Sequence, residues 1–463
     1  MVTELFIDTF YILLGINLAA LLLLCTSRIY FINTSKIINY TELQSEEPFV
    51  SIHLAICNEP PDIVMDTLNA FNDLEYANFE VIIISNNTPN LASWQPIEAY
   101  AVKFDHFRFF HFDKVEGYKA GALNIALEKT NPKAEYVFTV DSDYKLLPNA
   151  LKVAVGSIKE RKVDVLQFPQ NYRNICSHTK GLQANYKHYF ECYLSAMDKK
   201  HLGLPTGTLT LIHSEVFKKG LRWPTETITE DAHFGIELLS RKFTIGYCNL
   251  SIGTGTMPTS ITDYTKQYKR WSFGNFQTLV MCLKKKDIPY TQKLRLSTML
   301  FVWVNLLALP ILISFMGIPF LIMHTHGIYV AYLLVFMSLI LHTITQFFIL
   351  RMSSKHSVYE TFMALLVHIG TVEIGSFYWL TYIINSHKPF VRTNKFLIAE
   401  GFSLSYFYLP ILLFISSIVC FLFSSRLIGF SLITISIFGL LGKLRLKYEL
   451  LHSRQNLSKM YST

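Results

Sequence analysis

The sequence predicts an α/β domain on a mostly parallel sheet, joined to an α-helical transmembrane region of about five spans and interface helices. Three observations carry that prediction. At 463 residues, 51% hydrophobic and 14% aromatic, the chain is too apolar for an ordinary soluble protein. Its apolar residues are clustered, with 5–25 and much of 294–441 membrane-like and 48–290 mixed. Within the mixed stretch, short β-branched runs alternate with helical spacings, as strands and crossover helices do. That stretch is about 240 residues long, ample for one domain with its own core.

The elements follow in order. Residues 49–56 read as a first strand, and Cys57-Asn58-Glu59-Pro60-Pro61 as the loop after it. Pro61 suits the start of an amphipathic helix over 62–71. A second strand at 80–84 ends in Ser85-Asn86-Asn87-Thr88-Pro89, a third spans 107–112, and 119–127 is helical by spacing. A fourth strand begins at Val137 and another covers 163–167. Ligands of parallel sheets bind beyond the carboxyl ends of the strands, where Asn58, Asn86 and Asp141 fall.

Charge placement orders the membrane half. Residues 5–25, 300–323, 328–350, 402–423 and, marginally, 427–441 are long enough to span. Segment 358–384 is apolar but carries Glu360, His368 and Glu373. Laid along the interface, it keeps carboxylates out of hydrocarbon and puts Lys388, Arg392, Lys395 and the basic tail on one side with Arg351 and Lys355. The expectation is five spans, an external N-terminus and a cytosolic globular domain. The expected divisions are 1–47 (helix and connector), 48–260 (globular domain), 261–296 (amphipathic interface helices), 297–350 (transmembrane hairpin), 351–401 (interface helix and loop) and 402–463 (hairpin and basic tail). The formal charge of +8 flanks these spans, so anionic lipid is the expected partner; no nucleic-acid motif is present. The seven cysteines show no metal spacing and read as free thiols facing a reducing cytosol. Acidic residues lead the first helix and no cleavage pattern follows it, so it reads as retained.

Four clusters can carry chemistry. Val137-Phe-Thr-Val-Asp141-Ser-Asp143 ends in carboxylates at i and i+2, a spacing that lets both reach one ligand from an extended segment. Such a pair suits a small hard cation with a diphosphate, although acidic pairs also occur in ordinary turns. Thr229-Glu230-Asp231 opens a helix, which a capping threonine with acidic first-turn residues would explain as well. In Gln267-Tyr-Lys-Arg270-Trp271 the polar and aromatic groups share a helix face; a membrane-surface helix with snorkelling cations is the bland alternative. The fourth cluster is Glu116-Gly-Tyr-Lys119-Ala-Gly121-Ala-Leu-Asn124.

Together, Asp141-Ser-Asp143, Thr229-Glu-Asp231 and Gln267-x-x-Arg270-Trp271 resemble, in order and spacing, the processive family 2 glycosyltransferases, which make cellulose, hyaluronan, chitin and bacterial β-glucans. The finer likeness is to the bacterial β-glucan synthases. The resemblance covers 48 to about 280 and continues into the membrane segments. It implies a GT-A type nucleotide-sugar-binding domain and a membrane-embedded, inverting UDP-sugar hexosyltransferase that extends a β-glycan and passes it outward. UDP-glucose is the favoured donor, Mg²⁺ or Mn²⁺ the cofactor, and a bacterial inner membrane the location, with accessory export subunits as further partners. By the same resemblance Asp141 contacts the nucleotide and Asp143 holds the metal, with Asp141 beside it; Lys119, Asn58 and Glu59 border the uridine. Asp231 is the general base, Glu230 orients that region, Arg270 meets the leaving diphosphate, Trp271 faces the acceptor sugar and Gln267 bonds nearby. Phe390-Val-Arg392-Thr393-Asn-Lys395 is similar to the family's gating loop, departing at Arg392.

Two other departures bear on the donor. Asn86 stands where relatives carry an acidic residue; its carbonyl can accept the uracil N3–H, without charge assistance. Cys57 stands where an aromatic is common. Single transfer to a lipid or short acceptor, and a catalytically silent synthase subunit, are the alternative functions.

Overall fold

A computed structural model describes residues 2–32, 47–316, 318, 328–352, 357–388, 403–423 and 425–461. A seven-stranded sheet organises the first half, in the order β3-β2-β1-β4-β8-β6-β9. Its strands are β1 (Val50–Ile56), β2 (Phe79–Asn86), β3 (Phe107–Phe112), β4 (Tyr136–Thr139), β6 (Val165–Gln167), β8 (Thr210–His213) and β9 (Ile245–Tyr247). All neighbours are parallel except β8, which runs against both β4 and β6. Val81–Ile84 in β2 is fully buried, so the continuous apolar run is what a strand covered on both faces requires. The helix Pro61–Asn72 buries Ile63, Val64, Thr67, Leu68 and Phe71 along one stripe and has proline in its first turn.

A second, three-stranded sheet sits at the carboxyl end of the first. It contains β5 (Lys145–Leu146), β7 (Asn171–Tyr172) and β10 (Gly253–Gly255), in the order β5-β10-β7. The sequence reading finds neither this sheet nor β8 and β9. They are two to four residues long and their alternation is too short to register. The acidic run also differs in detail: β4 stops at Thr139, and a hydrogen bond from Tyr144 N to Asp141 O (3.1 Å) closes a turn over Asp141–Asp143. The two carboxylates reach one cavity from a turn, not from an extended strand.

Four helices among the described residues, one near the N-terminus and three in the second half, are long and apolar enough to cross a membrane, and counting two bent pairs as single spans raises the number to six. The expected span at 427–441 is part of a 36-residue helix, Arg426–Tyr461, so the basic tail is helical. Segment 358–384 is broken into Val358–Ile369 and Val372–Ile384, bent by 51°. Its carboxylates are paired: Glu360 with Lys180 at 2.5 Å, and Glu373 with Lys443. Asn185 Nδ2 donates to Ala364 O (2.5 Å), packing this segment on the helix Lys180–His188 of the sheet domain. Gly370 and Gly442 let the segment touch the last helix: a Cβ on Gly442 would come within 2.7 Å of Gly370 N and Leu366 O. Gly442→Val should therefore cost about 1–3 kcal/mol through overpacking. A thermal melt in detergent should fall by several degrees, whereas Gly439→Ala, whose Cβ would meet only Pro410 at 3.4 Å, should leave it unchanged.

Candidate active site

A cavity of about 690 Å³ opens at the carboxyl ends of β1, β2 and β4. Asp141, Asp143, Glu230, Asp231, Lys119, Arg270, Trp271 and Gln267 all line it, as do Glu59 and Asn86. Among these, residues as far apart as Glu59 and Trp271 thus meet at one place.

Lys119 is delivered by the start of the helix Tyr118–Lys129, where Gly117 (φ 78°) and Tyr118 (φ 53°) both adopt left-handed backbone. Its ammonium donates to the Asp141 carboxylate and to Gly207 O (2.7 Å). Burial alone would lower the Lys119 pKa; the charges of Asp141, Glu230 and Asp231 outweigh it and raise the pKa. Gly207 (φ 78°) must lack a side chain, since a Cβ there would lie 3.0 Å from Asp231 Oδ2 and 3.3 Å from Lys119 Nζ. Asp143 is buried: its Oδ2 accepts from Thr256 N (3.1 Å) and from the Thr256 hydroxyl, and its carbonyl accepts from Arg173 (2.5 Å).

Asp231 lies in the first turn of the helix Glu230–Ser240, and its Oδ1 accepts from Ala232 N at 2.8 Å. Burial, and then the Glu230 charge, push its pKa up to about 7; the Ala232 amide, Lys119 and Arg270 pull the other way. The helix Ile261–Lys284 carries Gln267, Arg270 and Trp271. It approaches through Gly274, where a Cβ would collide with Thr229 Cγ2 at 2.5 Å, so the Gln-x-x-Arg-Trp helix docks against the residue before Glu230. Gln267 Oε1 accepts from Tyr186 OH (2.6 Å), and Trp271 lies against Trp303 with ring centroids 4.5 Å apart.

Several expected residues have different surroundings. Asn58 is absent from the cavity lining; its Nδ2 donates to Asn87 O (3.0 Å) and its amide to Thr88 Oγ1 (2.9 Å). Asn86 reaches the cavity but is almost fully buried, its Nδ2 donating to Ile56 O (3.0 Å) and its Oδ1 accepting from Asn87 (3.2 Å). The asparagines staple neighbouring strand-end loops together. Thr393 and Lys395 lie outside the described residues. Sequence reasoning missed Thr256, Tyr189, Trp303 and Leu457 in the lining. Tyr189 begins a π-helical segment, Tyr189–Leu194, whose register has no sequence signature.

The two aspartates of the turn fit a divalent cation that takes its remaining ligands from a bound diphosphate and water, while no cluster of three or more protein ligands occurs among the described residues.

The raised Asp231 pKa makes a stability prediction. The folded state holds this proton between the ordinary carboxylate range and about pH 7, so the group's contribution declines as pH rises through that window. Asp231→Asn should raise the melting temperature at pH 8, with the gain vanishing near pH 4. Equal melting curves for both proteins at pH 8 would contradict it.

The chain is similar to known glycosyltransferases. Residues 136–350 match the family model "Glycosyl transferase family group 2". A "Probable glycosyltransferase" of Sulfolobus acidocaldarius is 25% identical over 298 residues, 62% of each chain. A poly-beta-1,6-N-acetyl-D-glucosamine synthase of Staphylococcus epidermidis is 27% identical over 239 residues, 50% of this chain and 55% of that one. The cellulose synthase catalytic subunit [UDP-forming] of Komagataeibacter sucrofermentans is 24% identical over 166 residues, 34% and 22% of the two chains. The chain thus spans less than two thirds of the length of these relatives. The solved mannosyltransferase PcManGT from Pyrobaculum calidifontis, in complex with GDP-Man and Mn²⁺, superposes with a TM-score of 0.50 at 14% identity, covering 94% of this chain and 98% of that one, a likeness of fold. The family match spans β4 to the Ile328–Met352 helix, and two polysaccharide synthases are among the proteins to which the chain is similar.

Proposed function

We propose that the chain is a membrane-embedded, inverting glycosyltransferase that extends a β-glycan from a UDP-sugar. One observation carries this reading: Lys119, Asp141 and Asp143 share a single cavity with Asp231, Arg270 and Trp271. The first three suit the nucleotide end of a donor, and the last three suit the acceptor and the leaving group. The relatives named as cellulose and poly-N-acetylglucosamine synthases support polymerisation, and the apolar helices support a membrane location; the placement of basic residues favours a cytosolic sheet domain.

Asp231 is placed to take the proton of an acceptor hydroxyl as that oxygen attacks the anomeric carbon. The bond to the UDP oxygen breaks with its electron pair, and inversion converts an α-linked donor to a β-linkage. Arg270 donates to the departing diphosphate, because a guanidinium forks onto anionic oxygens. Asp143, with Asp141 beside it, would hold Mg²⁺ or Mn²⁺, which supplies neutralisation of diphosphate charge when bound. Trp271 presents an aromatic face to the acceptor ring, backed by Trp303. Glu230, one position before the base, raises the Asp231 pKa toward the operating pH.

The test is incubation of detergent-purified protein with UDP-glucose, UDP-N-acetylglucosamine and other UDP-sugars plus Mg²⁺ or Mn²⁺, following UDP release and product size. One sugar should give UDP and polymer, with a rate that rises as pH passes about 7 and Asp231 ionises. Asp231→Asn should lose about 10²–10⁴-fold. Short products alone would indicate single transfer. No turnover with any sugar by folded protein would indicate a silent subunit.

A further inference from the structure

The last helix, Arg426–Tyr461, does not end at the membrane segments. At about 1.5 Å per residue its 36 residues reach roughly 54 Å, and its final turns bond to Arg173, Asn174 and Ile175, just after β7 and beside the cavity. Ser453, Leu457 and Tyr461 are spaced i, i+4, i+8 and share one face. Leu457, 3% exposed, lines the cavity itself.

Two hydrogen-bonded routes run from this face to the acidic turn. Ser453, fully buried, accepts from Asn174 Nδ2 at 2.7 Å. The Asn174 amide also donates to Met257 O (3.1 Å) and accepts from Met257 N (2.9 Å), fixing the residue after Thr256, whose hydroxyl and amide hold the Asp143 carboxylate. By the second route, the Tyr461 hydroxyl accepts from Arg173 Nη2 at 3.2 Å. The other arm of that guanidinium donates to Asp143 O (2.5 Å) and Thr254 O (3.0 Å). Arg173 therefore touches both the helix and Asp143, while Asn174 touches the helix and Met257, the residue next to Thr256. Asn456 Nδ2 adds a bond to Ile175 O (3.1 Å), so residues 173–175 form a strap along the helix.

We propose that the final turns of this helix are a wall of the donor site, with Leu457 facing the nucleotide and Ser453 and Tyr461 acting as positioning residues for the Asp143 turn through Asn174 and Arg173. The inference rests on the reading that this turn meets a nucleoside diphosphate. Coupling between two contacts is reciprocal, so docking of the helix should strengthen nucleotide binding and nucleotide should hold the helix down.

The test uses the full chain in detergent, titrated with UDP in the presence of Mn²⁺, comparing the unmodified protein with the double variant Ser453→Ala, Tyr461→Phe. Two lost hydrogen bonds should weaken UDP by about 10-fold. Tyr448→Phe removes a hydroxyl on the same helix that meets His178 (3.0 Å) instead of the strap, and should bind UDP as the unmodified protein does. Hydrogen exchange at 453–461 should slow when UDP and Mn²⁺ are added. If the unmodified chain binds UDP while the double variant binds it equally well and exchange does not change, the inference is overturned. Equal weakening by Tyr448→Phe would reduce the effect to general docking and also overturn it. No UDP binding by the unmodified chain would remove the donor reading first, and the inference with it.

Discussion

Asp141, Asp143, Glu230 and Asp231 crowd one cavity, and the ammonium of Lys119 is what makes the crowding tolerable. Asp141, Glu230 and Asp231 each raise its pKa, and it is bonded to the first of them. Much of the local backbone serves that placement. Two consecutive left-handed residues, Gly117 and Tyr118, start its helix, and the missing side chain at Gly207 leaves room for Lys119 and Asp231 to approach the same peptide. Even so, burial and then the neighbouring Glu230 charge hold the Asp231 proton to about pH 7. A diphosphate entering the proposed site brings more charge of the same sign. Arg270 and a divalent cation on the acidic turn are the groups that would offset it, so in this reading donor binding and metal binding belong to one electrostatic event.

The parallel half of the sheet was legible because buried strands such as 80–84 are long, β-branched and bounded by polar loops. β8 and β9 were not, since three or four residues within mixed sequence carry no period. The site was legible in its charged residues and not in its supports. Asp141, Asp231 and Arg270 are noticed by type and spacing. Thr256, Trp303 and Leu457 are brought in by tertiary packing, and nothing in their neighbours' sequence separates them from ordinary core. Asn58 and Asn86 show the converse. They stand at the strand ends that fold logic selects, yet their side chains bind neighbouring loops.

The same distinction applies to the ambiguous segment 358–384. Its carboxylates argue for an interface position only while they are unpaired. With Glu360 on Lys180 and Glu373 on Lys443, charge alone no longer decides between a bent span and an interface helix. Packing is the better guide, and it places Val358–Ile369 against the helix Lys180–His188, which continues into the π-segment holding Tyr189 at the cavity.

The cavity wall therefore belongs to both halves of the chain. The sheet supplies the acidic turn and the lysine, the Ile261–Lys284 helix supplies Arg270 and Trp271, and later segments supply Trp303 and Leu457. Trp303 is itself held in place from the N-terminal side: Arg28, buried in the helix Val2–Ile32, donates to Phe301 O and to Val304 O (3.2 Å), the carbonyls flanking it. A buried guanidinium on two carbonyls at the end of a short helical turn is a favourable use of that charge, because the turn's dipole is negative there. The first and last described helices thus each fix one side of the pocket. Such a site cannot be separated from the apolar helices around it, and movement of either helix would be felt at the aromatic wall or at the acidic turn before it reached the sheet.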